Sequence, residues 1–365
     1  MSHTERGGLP QRLRQCHSLK SFAQNFLLWS MAGQKIFLHN ERVPRVCNIS
    51  FNEKRCMFSC RMCPYNEQHV REHYGNASFM DLETVDAIID SFPDDSYYSF
   101  DMSSIGETLE FEQIGEAIRR MKTRRPRVNT IVSTNGVLLT EEMFLALSRS
   151  GLDSLQVSLF AENAADHRMI TGTTSFDRVK RNLEHAGDLK KRLGLARPYL
   201  QTFMIECREN RHSGPAFLEH WSKYVDKAFL RPMYNAGRQI EGMTQVHEPL
   251  PKPRRYPCIM PWYSTAVRST GEVLPCYMYH WHERAWDMSL GNVREKPIAD
   301  LWRGKDFTDF RKAHLSLDLA DYPVCETCDL WAAYTNVWTR ENDGFSYRGV
   351  QPGDFLRRAP EHRGG

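Results

Sequence analysis

Three cysteines follow a predicted strand with the spacing CxxxCxxC, as Cys56, Cys60 and Cys63 in the segment CMFSCRMCPY. Thiolates at this spacing can ligate three irons of a four-iron cluster and leave the fourth iron open. Four thiolates make a closed electron-transfer cluster, whereas an open position lets another molecule coordinate, as in catalytic zinc sites. The motif therefore predicts a cluster that does chemistry. The alternatives are free thiols or a zinc knuckle with His69 as a fourth ligand.

The same motif, placed just after a strand predicted at residues 46–51, resembles the signature of the radical S-adenosylmethionine (radical SAM) superfamily. The resemblance implies S-adenosyl-L-methionine bound at a 4Fe-4S cluster and a reductant such as flavodoxin or ferredoxin. In that family the cofactor is cleaved to methionine and a 5′-deoxyadenosyl radical, which abstracts hydrogen from a substrate carbon. Met62 departs from the family pattern, which usually has an aromatic residue before the last cysteine.

A second set of cysteines lies in the last third of the chain. It comprises Cys258, Cys276, Cys325 and Cys328, and four thiolates are enough to close one cluster. A hairpin is predicted from strands at 264–268 and 273–279. With the later segment LGNVREKPIADLW, this region resembles the SPASM and twitch domains found behind radical SAM barrels. Because no cysteine follows Cys328, the resemblance is to the shorter twitch type, with one auxiliary 4Fe-4S cluster. A zinc ribbon is the alternative.

Strands and helices alternate after the first motif, which predicts a parallel α/β barrel. Strands are predicted at 46–51, 97–102, 129–133, 155–160, 199–205 and 228–233, and Asp81 and Thr140 are predicted helix caps. Six units match the partial (β/α)6 barrel of the superfamily. The expected organisation is an N-terminal extension (1–43), the radical SAM barrel (44–245), a small hairpin-plus-helix domain of the twitch/SPASM type (246–340) and a C-terminal tail (341–365).

Active sites of parallel barrels lie at the carboxyl ends of the strands, and several segments there resemble family motifs. Gly106 and Glu107 in SIGE resemble the GGE segment that meets the cofactor's amino group, although isoleucine replaces its first glycine. Ser133 in STNG and Ser158 in VSLF end strands three and four and are predicted cofactor contacts. Arg168 in HRMITG is a candidate partner for the cofactor carboxylate, since guanidinium groups pair well with carboxylates.

Cys207, at the carboxyl end of strand five, is the candidate catalytic residue outside the two cysteine sets. A thiol is a good hydrogen-atom donor to a carbon radical, and radical SAM epimerases use such a cysteine. The alternative is a small buried hydrophobe, to which we assign Cys16 and Cys47. A substrate radical can also lose an electron to the auxiliary cluster, which gives net oxidation. The sequence favours epimerisation narrowly over this dehydrogenation.

The composition and charge of the chain limit the kinds of binding partner and substrate that are expected. The 48 basic and 45 acidic residues among 365 leave a charge of +3, which gives no electrostatic case for nucleic acid. No apolar run is long enough to span a bilayer, and clustered cysteines suit a reducing compartment, so a cytoplasmic enzyme is expected. The short segment before the first strand disfavours a peptide-binding module. That favours a small or carbohydrate-like substrate. The resemblance to twitch enzymes, which act on aminocyclitols and sugars of antibiotics, implies a hydroxyl carbon of such a ring as the target. Trp262, Trp281, Trp286 and Trp331 are possible sugar-facing residues. Peptide maturation and a non-catalytic iron or zinc protein remain open.

Overall fold

The computed structural model describes residues 42–94, 98–103, 105–232, 258, 260–280 and 286–328. All seven predicted cluster ligands lie within these ranges. Cys16, Trp281 and Trp331 lie outside them, as do the domain boundaries predicted near residues 245 and 340.

Six parallel strands form the main sheet. They are β1 (Val46–Ile49), β2 (Ser99–Met102), β3 (Asn129–Thr134), β4 (Ser154–Phe160), β5 (Tyr199–Glu206) and β6 (Lys227–Pro232). They lie side by side in chain order, and each pairs in parallel with the next. The predicted partial barrel is confirmed, and each strand begins and ends within two residues of its predicted bounds.

Helices connect the strands and cover one face of the sheet. They are α1 (Gln68–Tyr74), α2 (Leu82–Asp90), α3 (Ile114–Arg124), α4 (Glu141–Arg149), α5 (Ala164–Thr171), α6 (Phe176–Arg192) and α7 (Gly214–Trp221). The predicted caps are confirmed, because Asp81 accepts from the Thr84 amide and Thr140 accepts from the Met143 amide. Among the described residues, no helix is long and apolar enough to cross a membrane.

The hairpin after the barrel joins the main sheet. Strand β7 (Ser264–Val267) pairs in parallel with β1, and β8 (Val273–Leu274) pairs antiparallel with β7, which extends the sheet to eight strands. The predicted strand at 273–279 is too long. Pro275 has no amide hydrogen to donate to a ladder, and the chain turns into a 3-10 helix at Tyr277–His280. Helices α8 (Ile298–Arg303), α9 (Lys305–Ser316) and α10 (Pro323–Thr327) follow.

The two faces of the sheet differ in chemistry. Along β2, β3 and β4 one face is fully buried under the helices by residues such as Phe100, Val132 and Leu155. The alternate residues on the other face are partly accessible, and many of them are polar. Parallel strands buried on both faces are normally apolar throughout. The accessible polar face therefore lines a lumen, the concave interior of the curved sheet.

Candidate active site

The loop after β1 (residues 50–63, here called the cysteine loop) brings the three cysteines of the first set together. Burial raises the pKa of Cys56 to about 11 and that of Cys63 to about 12, and it raises the pKa of Cys60 well above its ordinary value. Negative charge on Cys63 and Cys56 raises the pKa of Cys60 further, which requires the three sulfurs to be neighbours. Thiolate ligation at this loop must therefore release protons.

Residues of the SIGE segment fasten the cysteine loop to the end of β2. The Gly106 amide donates to Asn52 O at 2.9 Å, and the Glu107 amide donates to Arg55 O at 3.0 Å. Asn52 Nδ2 returns hydrogen bonds to Arg55 O and Glu107 O, both at 2.9 Å. A Cβ on Gly106 would lie 2.3 Å from Arg55 O, so glycine permits this close approach.

The Glu107 carboxylate links SIGE to STNG at the end of β3. It accepts from the Leu109 amide at 3.0 Å, from the Asn135 amide at 2.8 Å and from the Thr134 hydroxyl. Burial raises the pKa of Glu107 to about 6, while these hydrogen bonds act in the opposite direction. Asn135 Nδ2 in turn lies 3.8 Å from Cys56 Sγ. The Glu107 carboxylate therefore holds the ends of β2 and β3 together beside the cysteine loop, while its main chain contacts the loop itself.

The carboxyl end of α5 holds the other side of the cysteine loop. The Ser59 amide donates to Thr171 O and the Arg61 amide donates to Ile170 O, both at 2.8 Å. Gly172 ends the helix with φ +69°, where glycine is favoured. Arg168, the predicted carboxylate partner, lies exposed on this helix. The segment HRMITG thus contacts the cysteine loop through its main chain, which the sequence motif alone did not reveal.

The second cysteine set also converges. Burial raises the pKa of Cys258 well above its ordinary value, and charge on Cys276, Cys328 and Cys325 raises it further. Tyr279 Oη lies 3.3 Å from Cys325 Sγ. Hydrogen bonds to ligand sulfurs are among the factors that set the potential of an iron–sulfur cluster. Tyr279 is therefore a residue of this site that the cysteine spacing did not indicate.

Both sets have the donors that iron–sulfur clusters require. Each set consists of buried or half-buried thiols whose charges act on one another, three in the first set and four in the second. Within the described ranges, no group of three or more cysteine, histidine or acidic side chains is arranged to hold a metal ion, so the thiols of each set are neighbours without the geometry of a preformed metal site. His69, the proposed fourth zinc ligand, is exposed on α1.

Cys207 lies one residue beyond the end of β5 and is buried in a small hydrophobic cluster that is separate from the main core. Phe203, Ile205 and Cys207 share this cluster, and Met62 of the cysteine loop packs against it. The intervening Met204 belongs to the main core instead. Alternation along a strand therefore directs Cys207 toward the lumen and the cysteine loop. Burial raises the pKa of the Cys207 thiol to about 11, so it carries its proton at neutral pH. Cys47 is fully buried in β1, as expected of a core residue.

The two predicted serines lie half-buried on the lumen face of their strands. Ser133 Oγ on β3 lies 3.2 Å from Ser103 Oγ, and Gln156 Nε2 on β4 donates to Ser133 at 3.4 Å. Ser103 in turn donates to the Asp101 carboxylate on β2. The sequence analysis missed Asp101, Ser103 and Gln156. Polar residues recur at every second position of these strands, which places them on one face of the sheet, and this pattern could have identified them from the sequence.

Comparison with known families agrees with this geometry. Residues 54–199 match the model of the radical SAM superfamily, and residues 258–329 match that of SPASM, an iron-sulfur cluster-binding domain. The chain therefore contains a radical SAM domain followed by a SPASM domain. These domains imply S-adenosylmethionine with a 4Fe-4S cluster in the first and auxiliary iron–sulfur ligation in the second.

Individual relatives extend over most of the chain. A tungsten-containing aldehyde ferredoxin oxidoreductase cofactor-modifying protein of Pyrococcus furiosus is 25% identical, covering 79% of this chain and 88% of the relative. An S-adenosyl-L-methionine-dependent 2-deoxy-scyllo-inosamine dehydrogenase of Niallia circulans is 22% identical, over 80% of this chain and 94% of the relative. The crystal structure of BtrN in complex with AdoMet and 2-DOIA has a TM-score of 0.52 at 18% identity, covering 79% of this chain and 93% of BtrN. The last likeness establishes the fold.

Proposed function

We propose that this protein is a radical SAM enzyme that removes hydrogen from a carbinol carbon of an aminocyclitol or sugar and oxidises the alcohol to a ketone. The observation that carries the proposal is the pairing of an open set of three thiols with a separate set of four. The open set suits cofactor binding, and the closed set suits electron transfer. The dehydrogenase relative from Niallia circulans supports the oxidative outcome.

The protein's own residues have defined tasks in this proposal. Cys56, Cys60 and Cys63 would hold the first cluster, and Cys258, Cys276, Cys325 and Cys328 would hold the auxiliary cluster. Bound S-adenosylmethionine supplies the hydrogen-abstracting group after one-electron reduction, for which flavodoxin or ferredoxin is the proposed donor. Gly106 and Glu107 fix the cysteine loop, and the lumen admits the substrate. Ser133, Ser158 and Arg168 remain proposed cofactor contacts.

Epimerisation is the second candidate, and the position of Cys207 favours it. The thiol is protonated, lies on the lumen side of the chain after β5 and packs in the cluster that Met62 joins. A thiol there would return hydrogen to the substrate carbon from the face opposite abstraction. The thiyl radical left on Cys207 would then take one electron, from the reductant by way of the auxiliary cluster, and one proton from solvent, which restores the S–H bond.

Product analysis of Cys207→Ala separates the two candidates. The reconstituted enzyme is offered 2-deoxy-scyllo-inosamine with S-adenosylmethionine and a reductant in deuterated water. Oxidation predicts a ketone and 5′-deoxyadenosine from the native enzyme, unchanged in Cys207→Ala. Epimerisation predicts an inverted carbon bearing one solvent deuterium, because thiol protons exchange with solvent, and loss of that product in Cys207→Ala. Cys47→Ala, a change at a core cysteine, is the matched control.

Three experimental results would refute the proposed function. If the iron-loaded native enzyme produces no 5′-deoxyadenosine from S-adenosylmethionine and reductant, the chain is not a radical SAM enzyme of this kind. A preparation that binds stoichiometric zinc without iron would favour the non-catalytic alternative. Modification of a peptide, with no turnover of cyclitols or sugars, would favour peptide maturation.

A further inference from the structure

Tyr279 is a buried residue that contacts two separate parts of the second cysteine set. It lies in the 3-10 helix at Tyr277–His280 and is fully buried. Its amide donates to Cys276 O at 3.1 Å, and its phenol oxygen lies 3.3 Å from Cys325 Sγ, which is 46 residues further along the chain. Tyr279 therefore connects the predicted ligand that follows the β7–β8 hairpin with the predicted ligand on α10.

The ring of Tyr279 is held in place by aromatic packing. Its centroid lies 6.1 Å from that of Phe310 on α9, and the two ring planes are nearly perpendicular at 89°. Phe310 is itself buried and meets the ring of Tyr322 with centroids 4.9 Å apart. Close packing of this kind restricts the Tyr279 ring to one orientation. Its hydroxyl is thereby held against the sulfur of Cys325.

The chemistry of the two groups decides which one donates when iron is bound. A thiol and a phenol can each donate a hydrogen bond, but a sulfur that ligates iron has lost its proton and can only accept. A phenol keeps its proton at neutral pH, so Tyr279 is then the donor. Hydrogen bonds to charged acceptors are roughly twice as strong as neutral ones. The contact therefore strengthens as negative charge accumulates on the sulfur of Cys325.

Main-chain amides also donate to sulfurs of this set. The Met260 amide donates to Cys258 Sγ, and the Met278 amide donates to Cys276 Sγ. Such amides are present whatever the side chain, whereas one substitution removes the phenol of Tyr279. Hydrogen bonds to ligand sulfurs help to set the potential of an iron–sulfur cluster. Tyr279 is thus a side chain through which the sequence can adjust that potential.

We propose that Tyr279 is a positioning residue of the reaction, whose hydroxyl raises the reduction potential of the auxiliary cluster by donating to Cys325 Sγ. Reduction makes the cluster more negative, so a donor stabilises the reduced state more than the oxidised state. A carbinol radical becomes a ketone by losing one electron to the auxiliary cluster and its hydroxyl proton to solvent, and a higher potential favours that electron transfer. This consequence for the reaction rests on the proposed function, whereas the effect on the potential does not.

Redox titration followed by electron paramagnetic resonance tests the proposal. The full-length chain carries alanine in place of all three cysteines of the first set, so that only the second set can hold a cluster. Tyr279→Phe should lower the ratio of reduced to oxidised cluster about tenfold at a given potential, which is a midpoint about 59 mV lower for a one-electron couple. Tyr322→Phe removes a hydroxyl from the same group of rings. Its midpoint should be unchanged, because no hydrogen bond joins that hydroxyl to a sulfur in the part of the chain that the structure describes.

Several results would overturn the proposal. A Tyr279→Phe protein with full iron and an unchanged midpoint would do so, as would an equal shift in Tyr322→Phe. If Tyr279→Phe holds no iron, 3-fluorotyrosine at position 279 decides the matter, since its phenol is a stronger donor of nearly the same size and should raise the midpoint. An unchanged or lower midpoint in that protein would also count against Tyr279.

Product analysis with the first cysteine set intact tests the role in the reaction. Native and Tyr279→Phe enzymes are offered 2-deoxy-scyllo-inosamine, S-adenosylmethionine and a reductant. We expect equal 5′-deoxyadenosine from both and less ketone per 5′-deoxyadenosine from Tyr279→Phe. Equal ketone from both would overturn the role of Tyr279 in the reaction. A native enzyme that forms no ketone would refute the proposed oxidation, while the midpoint measurements would still decide whether Tyr279 acts on the cluster.

Discussion

Replacement of Gly106 by alanine tests whether the cysteine loop is held by a close backbone approach. The added Cβ would lie 2.3 Å from Arg55 O and 2.8 Å from Asn52 Cγ. A comfortable contact needs about 3.5 Å, so one backbone must move by about 1 Å. Arg55 O cannot yield freely, because it also accepts from Asn52 Nδ2 and the Glu107 amide. The movement would break the two amide hydrogen bonds of SIGE to the loop.

The expected cost follows from these terms. Overpacking costs about 1 to 3 kcal/mol, and two lost hydrogen bonds add about 1 kcal/mol each. The variant should therefore lose about 3 to 5 kcal/mol of unfolding free energy and melt roughly 10 °C lower. Its iron content should also fall, because the loop carries the three ligands.

A matched glycine provides the control. Gly115 lies in α3 with nothing within 4 Å of an added Cβ, so Gly115→Ala should gain about 0.5 to 1 kcal/mol from helix propensity. Thermal melting and iron analysis of both variants are the assays. A Gly106→Ala protein with native melting temperature and full iron would refute the close approach, whatever its activity.

The remaining predictions concern the clusters, a buried carboxylate and a buried imidazole. Cys60→Ala should abolish 5′-deoxyadenosine formation. Cys276→Ala should instead lose about half the iron, since metal binding is coupled to folding of each site. Cleavage of S-adenosylmethionine by Cys60→Ala would contradict the assignment of the first cluster. Glu107→Ala should lose about 4 kcal/mol in denaturant unfolding, because three donors lose their acceptor, while Glu110→Ala, at a partly exposed ion pair with Arg55, should lose less than about 1 kcal/mol. Burial lowers the pKa of His167 from 6.5 to about 4. The unfolded chain therefore binds more protons between these values, so stability should fall by up to about 3 kcal/mol as the pH drops from 6.5 to 4. The unfolding free energy of His167→Gln, measured over the same pH range and subtracted from that of the native protein, isolates the contribution of His167. Identical pH profiles of the two proteins would exclude that contribution.

Local features of the fold could be predicted because they depend on short stretches of sequence. Asp81 and Thr140 cap helices through hydrogen bonds three residues away, and the strands of the barrel are dense in apolar residues. The cysteine sets follow from spacing for the same reason. The pairing of β7 with β1 could not be predicted, because it joins residues more than 200 positions apart across an open sheet edge. Pro275 did contain the signal that the second hairpin strand ends early.

The candidate site was harder to predict wherever strand register decides the outcome. Ser133 and Ser158 were found from motifs, whereas Asp101 and Gln156 gain meaning only when neighbouring strands place them on one face. Arg168 was chosen for its charge, but its exposed position on α5 depends on how that helix docks against the cysteine loop. Glu107 was chosen for its backbone, and its carboxylate proved to link two strand ends.

The pairing of β7 with β1 also bears on how the two cluster sites relate. Strand β1 leads directly into the loop of the first cysteine set, and the β7–β8 hairpin leads directly to Cys276 of the second set. Beside this seam, buried Glu53 accepts from the Ser269 hydroxyl at 2.8 Å and lies 3.2 Å from His280 Nδ1. A hydrogen-bonded ladder and a buried polar contact thus join the two ligand sets where a flexible linker would let them drift. Because electron transfer depends on a fixed separation between its centres, this seam supports the proposed function, in which both clusters would serve one substrate radical.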